Sequence, residues 1–273
     1  AYELLGQYGS SDVVRAFQSA LDHESPLVRR AAVRSVPAES LEQLVEQVAP
    51  LLGDPVRTVR IAAALRLLPL DVRALNRTQQ SALKSATDEY REQLAMTFDR
   101  AGSHVQLSRL AQRSSDVNLA EEELRTAIRI EPYLTGVRSD LAQLLTAAGS
   151  HEEEVAQLRE EEVKLLQRDI KLLPNSPDIR YRLGLLYYLM DDLNSAESHL
   201  AEAHNMELGN YQFLLGLALL QQEQYKRGEE EAFERTIQSL SKLDKLDPRR
   251  QDAKHLLQGL IEMQKEREQS GED

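Results

Sequence analysis

Residues 180–203 read RYRLGLLYYLMDDLNSAESHLAEA. A Leu183–Gly184 pair is followed three residues later by Tyr187, and then by Ala196, Leu200 and Ala203. None of these side chains suits a reaction. Their spacing suits packing, because residues three and four apart share one face of an α-helix. Gly184 and Ala196 would let two antiparallel helices approach closely, while Leu183, Tyr187 and Leu200 fill the space between them. Ala203 is small enough to admit the helix of a following unit. The stretch therefore predicts a helix hairpin that stacks on others like it.

The same offsets recur with a spacing of 34 from residue 101 onward. Leu107–Ser108 and Leu141–Ala142 occupy the position of Leu183–Gly184, and Ala120, Leu124, Ala127 and Pro132 repeat the offsets of Ala196, Leu200, Ala203 and Leu208. Leu-Gly, Tyr, Ala, a bulky residue, Ala and a closing Pro resembles the tetratricopeptide repeat (TPR). Arg180 stands where that family often has Trp, and Leu208 replaces the closing Pro. A further unit has Leu215–Gly216 and Tyr225, with Gly228 at the small-residue position and Pro248 closing about seven residues late. The unit starting near Thr135 closes at Pro174, about eight late. Seven or eight residues make two helical turns, so long second helices are expected at about 151–173 and 225–246. Residues 250–268 carry one apolar stripe, as a terminal capping helix needs, and the tail from Ser270 to Asp273 is expected to fray.

Nearer the N-terminus the spacing is 31. Val28–Arg29 falls on Val59–Arg60, Ala31–Ala32 on Ala62–Ala63, and Val14, Phe17 and Leu21 on Val45, Val48 and Leu52. Pro26 and Pro55 precede the second helices, where a missing N–H costs nothing. SPLVRRAAVRSV and DPVRTVRIAAALRLL resemble the HEAT repeat. Ala1 to Gln7 match the end of a second helix with no first helix before them, which implies a piece of a longer chain. NRTQQSALKSATDEYREQLAMTFDRAG reads as one long helix with Asn76 or Thr78 near its N-cap. The expected organisation is HEAT-like repeats at 1–70, a connecting long helix at 71–101, TPR-like repeats at 102–249, and a cap and tail at 250–273. The fold class is all-α, a right-handed α-solenoid of helix pairs.

Composition excludes several chemistries. Cysteine is absent, which removes disulfides, thiolate metal sites, thiol catalysis and covalent haem attachment within the chain. Net charge is −12, distributed as about −1 over 1–100, −4 over 101–176 and −7 over 177–273. Such a surface disfavours phosphate backbones and anionic membranes. No run of 18 apolar residues is long enough to span a membrane. The six histidines (23, 104, 151, 199, 204 and 255) lack metal-binding spacing and read as solvated. The acidic triplets at 121–123, 152–154, 160–162 and 229–231 read as a solvated face, and three of them suit helix N-termini. Hydrolase, Walker and Rossmann fingerprints are absent. Catalytic residues, metal ligands and cofactor are therefore expected to be none. Asn76-Arg77-Thr78 fits a glycosylation sequon.

The TPR resemblance implies that first helices line a concave groove. The candidate partner-binding residues are Arg109, Arg113, Arg138, Gln143, Tyr181, Leu185, Tyr188, Phe213 and Leu217, cationic at one end and aromatic–aliphatic at the other. The Lys/Asn set with which some family members clamp a C-terminal carboxylate is missing. The expected function is a non-catalytic scaffold for a protein or peptide partner, with a structural spacer, a self-assembling homo-oligomer or a helical-repeat enzyme as alternatives. HEAT running into TPR also resembles the C-terminal repeat region of bacterial multihaem cytochrome c-type proteins. That resemblance implies an extracytoplasmic setting and a haem-bearing segment elsewhere; a cytoplasmic setting is the alternative.

Overall fold

In the computed structural model, residues 11–38, 40–149, 151–248 and 250–270 are described; the half-repeat at Ala1–Gln7 and the end of the tail lie outside them. The described residues form fourteen α-helices and two short 3₁₀ turns, with no strand. The chain divides into two units, Ala1–Pro132 and Tyr133–Asp273. In each, helices adjacent in sequence pack on one another, giving an α-solenoid of helix-pair repeats.

In the first unit, α1 (Ser11–Leu21) pairs with α2 (Pro26–Ser35), and α3 (Leu41–Val48) leads into α4 (Arg57–Leu67). Of the apolar positions found by the 31-residue shift, Phe17, Ala32, Val48, Val59 and Ala63 are essentially inaccessible and lie in the core. The repeated arginine has a repeated task. Arg29 donates to the His23 and Glu24 carbonyls of its own turn and forms a two-pronged ion pair with Asp54 of the next repeat, at 2.7 and 2.9 Å. Arg60 likewise donates to the Asp54 and Pro55 carbonyls and pairs with Glu89 of the next layer at 2.8 Å. Burial would raise the pKa of Asp54, but the Arg29 hydrogen bond, the Val56 N–H and the charges of Arg29 and Arg60 hold it below the usual carboxylate range.

The long helix α5 (Arg77–Ala95) starts with a capping box, in which Asn76 and Gln79 bond reciprocally. It is a packed layer of this unit, since Leu83 and Ala86 join the core. The chain turns at Thr97–Arg100 before α6 (Ala101–Arg113), so the predicted single helix ends at Ala95. The α6–α7 pair (α7, Val117–Ile130) closes this unit, with Leu107, Ser108, Ala120, Leu124 and Ala127 all buried. The boundary at Pro132 thus falls inside the TPR-like stretch.

The second unit holds α8 (Val137–Ala147), α9 (Glu152–Leu172), α10 (Pro177–Leu189), α11 (Leu193–Met206), α12 (Tyr211–Lys226), α13 (Glu231–Leu246) and α14 (Asp252–Ser270). The hairpin of residues 180–203 is α10–α11. A Cβ built on Gly184 would lie 2.7 Å from Leu200 Cγ, so no side chain fits there. Ala196 and Ala203 are wholly inaccessible. The long second helix expected at 151–173 is α9, with 21 residues.

The last repeat departs from its predicted register. α12 begins 34 residues after α10, so Leu217–Ala218 hold the positions of Leu183–Gly184, two residues beyond the Leu215–Gly216 pair. Burial agrees position by position: Phe213, Leu217, Ala218 and Leu220 are buried like Ile179, Leu183, Gly184 and Leu186. Gly228, with φ +97°, belongs to the turn after α12, and Ala232 supplies the small contact. Extra length therefore went into the first helix, and the second starts at Glu231 rather than near 225. The capping helix α14 is present. Its Arg267 lies 4.4 Å over the Tyr225 ring and donates to the Tyr225 and Lys226 carbonyls.

Candidate partner-binding surfaces

Each unit presents one candidate surface. In the second unit it lies on α10 and α12, which pack on each other. Leu185 and Tyr188 are 38% and 40% exposed, and Leu189 beside them is 53% exposed. Leu219, the repeat equivalent of Leu185, is 44% exposed on α12. Tyr181 is half-buried: its ring lies against Gly216 and 5.0 Å from Phe213, and its hydroxyl accepts from Gln212 at 3.3 Å. It is a wedge between first helices as well as a possible contact. Phe213 and Leu217 are buried and are not surface residues. The two-residue register error placed them in the groove, and the shift assigns those positions to Leu215 and Leu219.

Arg138 is buried too. Its Nε donates to Glu161 at 2.8 Å, across the α8–α9 hairpin. It holds the place that Arg180 holds in the next repeat, where Arg180 pairs with Glu202. Both arginines bind their own second helix. Gln143 is exposed on α8. Close by, Glu162 is inaccessible; it accepts from the Gly136 N–H at 2.5 Å and lies 3.5 Å from Arg182. Desolvation pushes its carboxyl above the usual range, against the Gly136 bond and the arginine charges.

In the first unit, Arg113 lines a groove of about 550 Å³ together with Arg30 and Arg34 of α2 and Arg66 of α4. Ile61, Ala62, Leu65 and Tyr90 form its floor and wall. Arg113 donates to the Leu65 carbonyl at 2.7 Å, and Arg66 to the Val36 carbonyl at 3.3 Å. Arg109 is exposed on the same helix as Arg113. Burial raises the Tyr90 phenol, and the charges of Arg113 and Arg109 oppose that rise. The sequence reading placed Arg109, Arg113 and Arg138 in a groove and missed Arg30, Arg34 and Arg66. A signal existed: none of those three has an acidic residue three or four positions away on its helix.

Three histidines differ from the solvated reading. His104 sits between Glu123, at 2.5 Å, and the Phe98 carbonyl. His199 stacks on Tyr187, with centroids 5.5 Å apart, and His204 is buried; desolvation lowers the pKa of both. Among the described residues, no group of three or more His, Asp or Glu side chains converges as a metal site would require. No helix among them is long and apolar enough to cross a membrane.

These features define a class, an all-α helical-repeat protein built of stacked helix pairs within each unit. The family model for HEAT repeats matches residues 1–69, the stretch where the 31-residue shift was found. No curated protein matches the sequence. Among solved structures, yeast Tom70 is similar at a TM-score of 0.54 and 15% identity, over 95% of this chain and 52% of that one. A thermophilic TPR protein of Thermus thermophilus, TTC0263, gives 0.49 at 19% identity, over 74% and 98%. Pseudomonas aeruginosa pilF gives 0.46 at 19% identity, over 78% and 87%. The likeness to Tom70 shows the helical-repeat fold, and no enzymatic family is indicated.

Proposed function

We propose that the chain is a non-catalytic interaction scaffold whose first-helix face in the second unit holds a partner protein or peptide. The observation that supports this is the strip of Leu185, Tyr188, Leu189 and Leu219, apolar side chains left exposed on a well-packed stack. Leu185 and Leu219 hold the same position in successive repeats, so the strip extends as the repeats do. Apolar side chains of this kind anchor an amphipathic peptide or helix laid along a groove. On this reading no residue here performs chemistry or holds a cofactor. Any haem would then belong to another segment or another protein.

The test is affinity capture followed by mass spectrometry, comparing the native chain with a Leu185→Asp, Tyr188→Ala double variant. A partner retained by the native chain and lost from the variant, at unchanged helicity and thermal midpoint, is the expected result. Equal retention by both would remove the site from this strip.

A further inference from the structure

The arginine groove of the first unit is a separate site, and we propose that it binds an acidic peptide segment of a partner protein. Arg30, Arg66 and Arg113 converge on one concavity of about 550 Å³, which Arg34 also lines, and none of the described residues lining it is acidic. This occurs on a chain whose net charge is −12. The bonds of Arg66 and Arg113 to the Val36 and Leu65 carbonyls hold the two guanidinium groups in place without neutralising them. Arg60, on the same helix as Arg66, is by contrast held by the carboxylate of Glu89 in the neighbouring layer. A guanidinium binds a carboxylate through two parallel hydrogen bonds, so a side-chain acid is its natural complement.

The floor narrows the ligand class. Leu65 and the half-buried Tyr90 offer an apolar surface between the cations. A small inorganic anion would leave that surface unused, whereas an acidic peptide with an intervening aliphatic or aromatic residue covers it. A nucleic acid needs a longer basic track, and its phosphates would be repelled by the remaining acidic surface. The site is independent of the Leu185–Tyr188 strip, so the two stand or fall separately.

The experiment is fluorescence anisotropy with the full chain and a fluorescein-labelled Asp-Glu-Leu-Glu-Asp-Tyr peptide. Its Asn/Gln counterpart and a labelled oligothymidylate serve as comparison probes. The acidic peptide is expected to bind at least about tenfold more tightly than its amide counterpart. Binding should weaken between about 50 and about 300 mM NaCl as charges are screened. An Arg34→Glu, Arg66→Glu variant with native helicity should lose it, and Leu185→Asp should leave it intact. Should that variant not fold, Arg30→Gln with Arg113→Gln removes two of the four charges and is expected to weaken binding as well. Equal affinity for both peptides, undiminished binding by a folded arginine variant, or preferential binding of the oligothymidylate through these arginines would overturn the proposal.

Discussion

The two units stack helix pairs by different means. In the first, a repeated arginine reaches from each second helix to a carboxylate of the following layer: Arg29 to Asp54, then Arg60 to Glu89. In the second, the α10–α11 hairpin relies on contact between small and large residues, with Gly184 and Ala196 against Leu200. Its arginines Arg138 and Arg180 tie each first helix to its own partner. The first arrangement relies on charge and turn carbonyls, while the second combines close small-residue contacts with the Glu162–Arg182 and Glu197–Arg235 pairs between neighbouring repeats. The consequence for function is that exposed side chains differ too. The first unit leaves cations around a groove, and the second leaves an apolar strip.

The largest effect is expected at the tightest small-residue contact. Ala203→Arg places a charged side chain at a wholly inaccessible position, and a loss of about 4 kcal/mol or more is expected in chemical denaturation. An unchanged midpoint would mean the hairpins do not meet there. Breaking the charged latch should cost less. Asp54→Ala leaves Arg29, whose side chain is 12% exposed, without its carboxylate but with its two carbonyl partners. About 2–3 kcal/mol is expected, with much of it recovered when Arg29→Met is added.

A smaller effect sharpens the contrast through pH. His204 is buried, and its pKa is depressed below 6.5 by desolvation and by Lys242. The unfolded chain therefore takes up a proton there before the folded chain does. The stability this group contributes is present above about pH 6.5 and is lost as pH falls from 6.5 toward the depressed folded value. Thermal midpoints of His204→Gln should decline less over that interval than those of the native chain; parallel curves would count against burial of the neutral ring. Least of all, Leu185→Ala with Tyr188→Ala should change stability by about 0.5 kcal/mol or less, because both are exposed. A larger loss would show that the strip is structural.

The repeats were legible because packing positions are periodic. Phe17, Ala32, Leu107, Ala120, Leu183 and Ala203 all recur at fixed offsets, and burial in the structure follows them. Register in the last repeat was not legible. Leu215–Gly216 imitates Leu183–Gly184, but the small contacts are made by Ala218 and Ala232, on either side of a turn at Gly228. A Gly suits both a close helix contact and a left-handed turn, so identity alone does not separate the two uses. The same ambiguity moved Phe213 and Leu217 onto the surface in the reading and into the core in the structure. The arginine groove was half legible. Arg113 followed from the TPR resemblance, whereas Arg30, Arg34 and Arg66 come together only when the second helices of two HEAT-like units stack with α5 and α6.

Hydrogen exchange read by mass spectrometry on two variants tests the central contrast most directly. Asp54→Ala is expected to lose amide protection chiefly in α2 and α4, and Gly184→Leu chiefly in α10, α11 and α12. Protection unchanged in both, or lost from α2 and α4 alone whichever residue is replaced, would contradict an account in which each unit stacks by its own device.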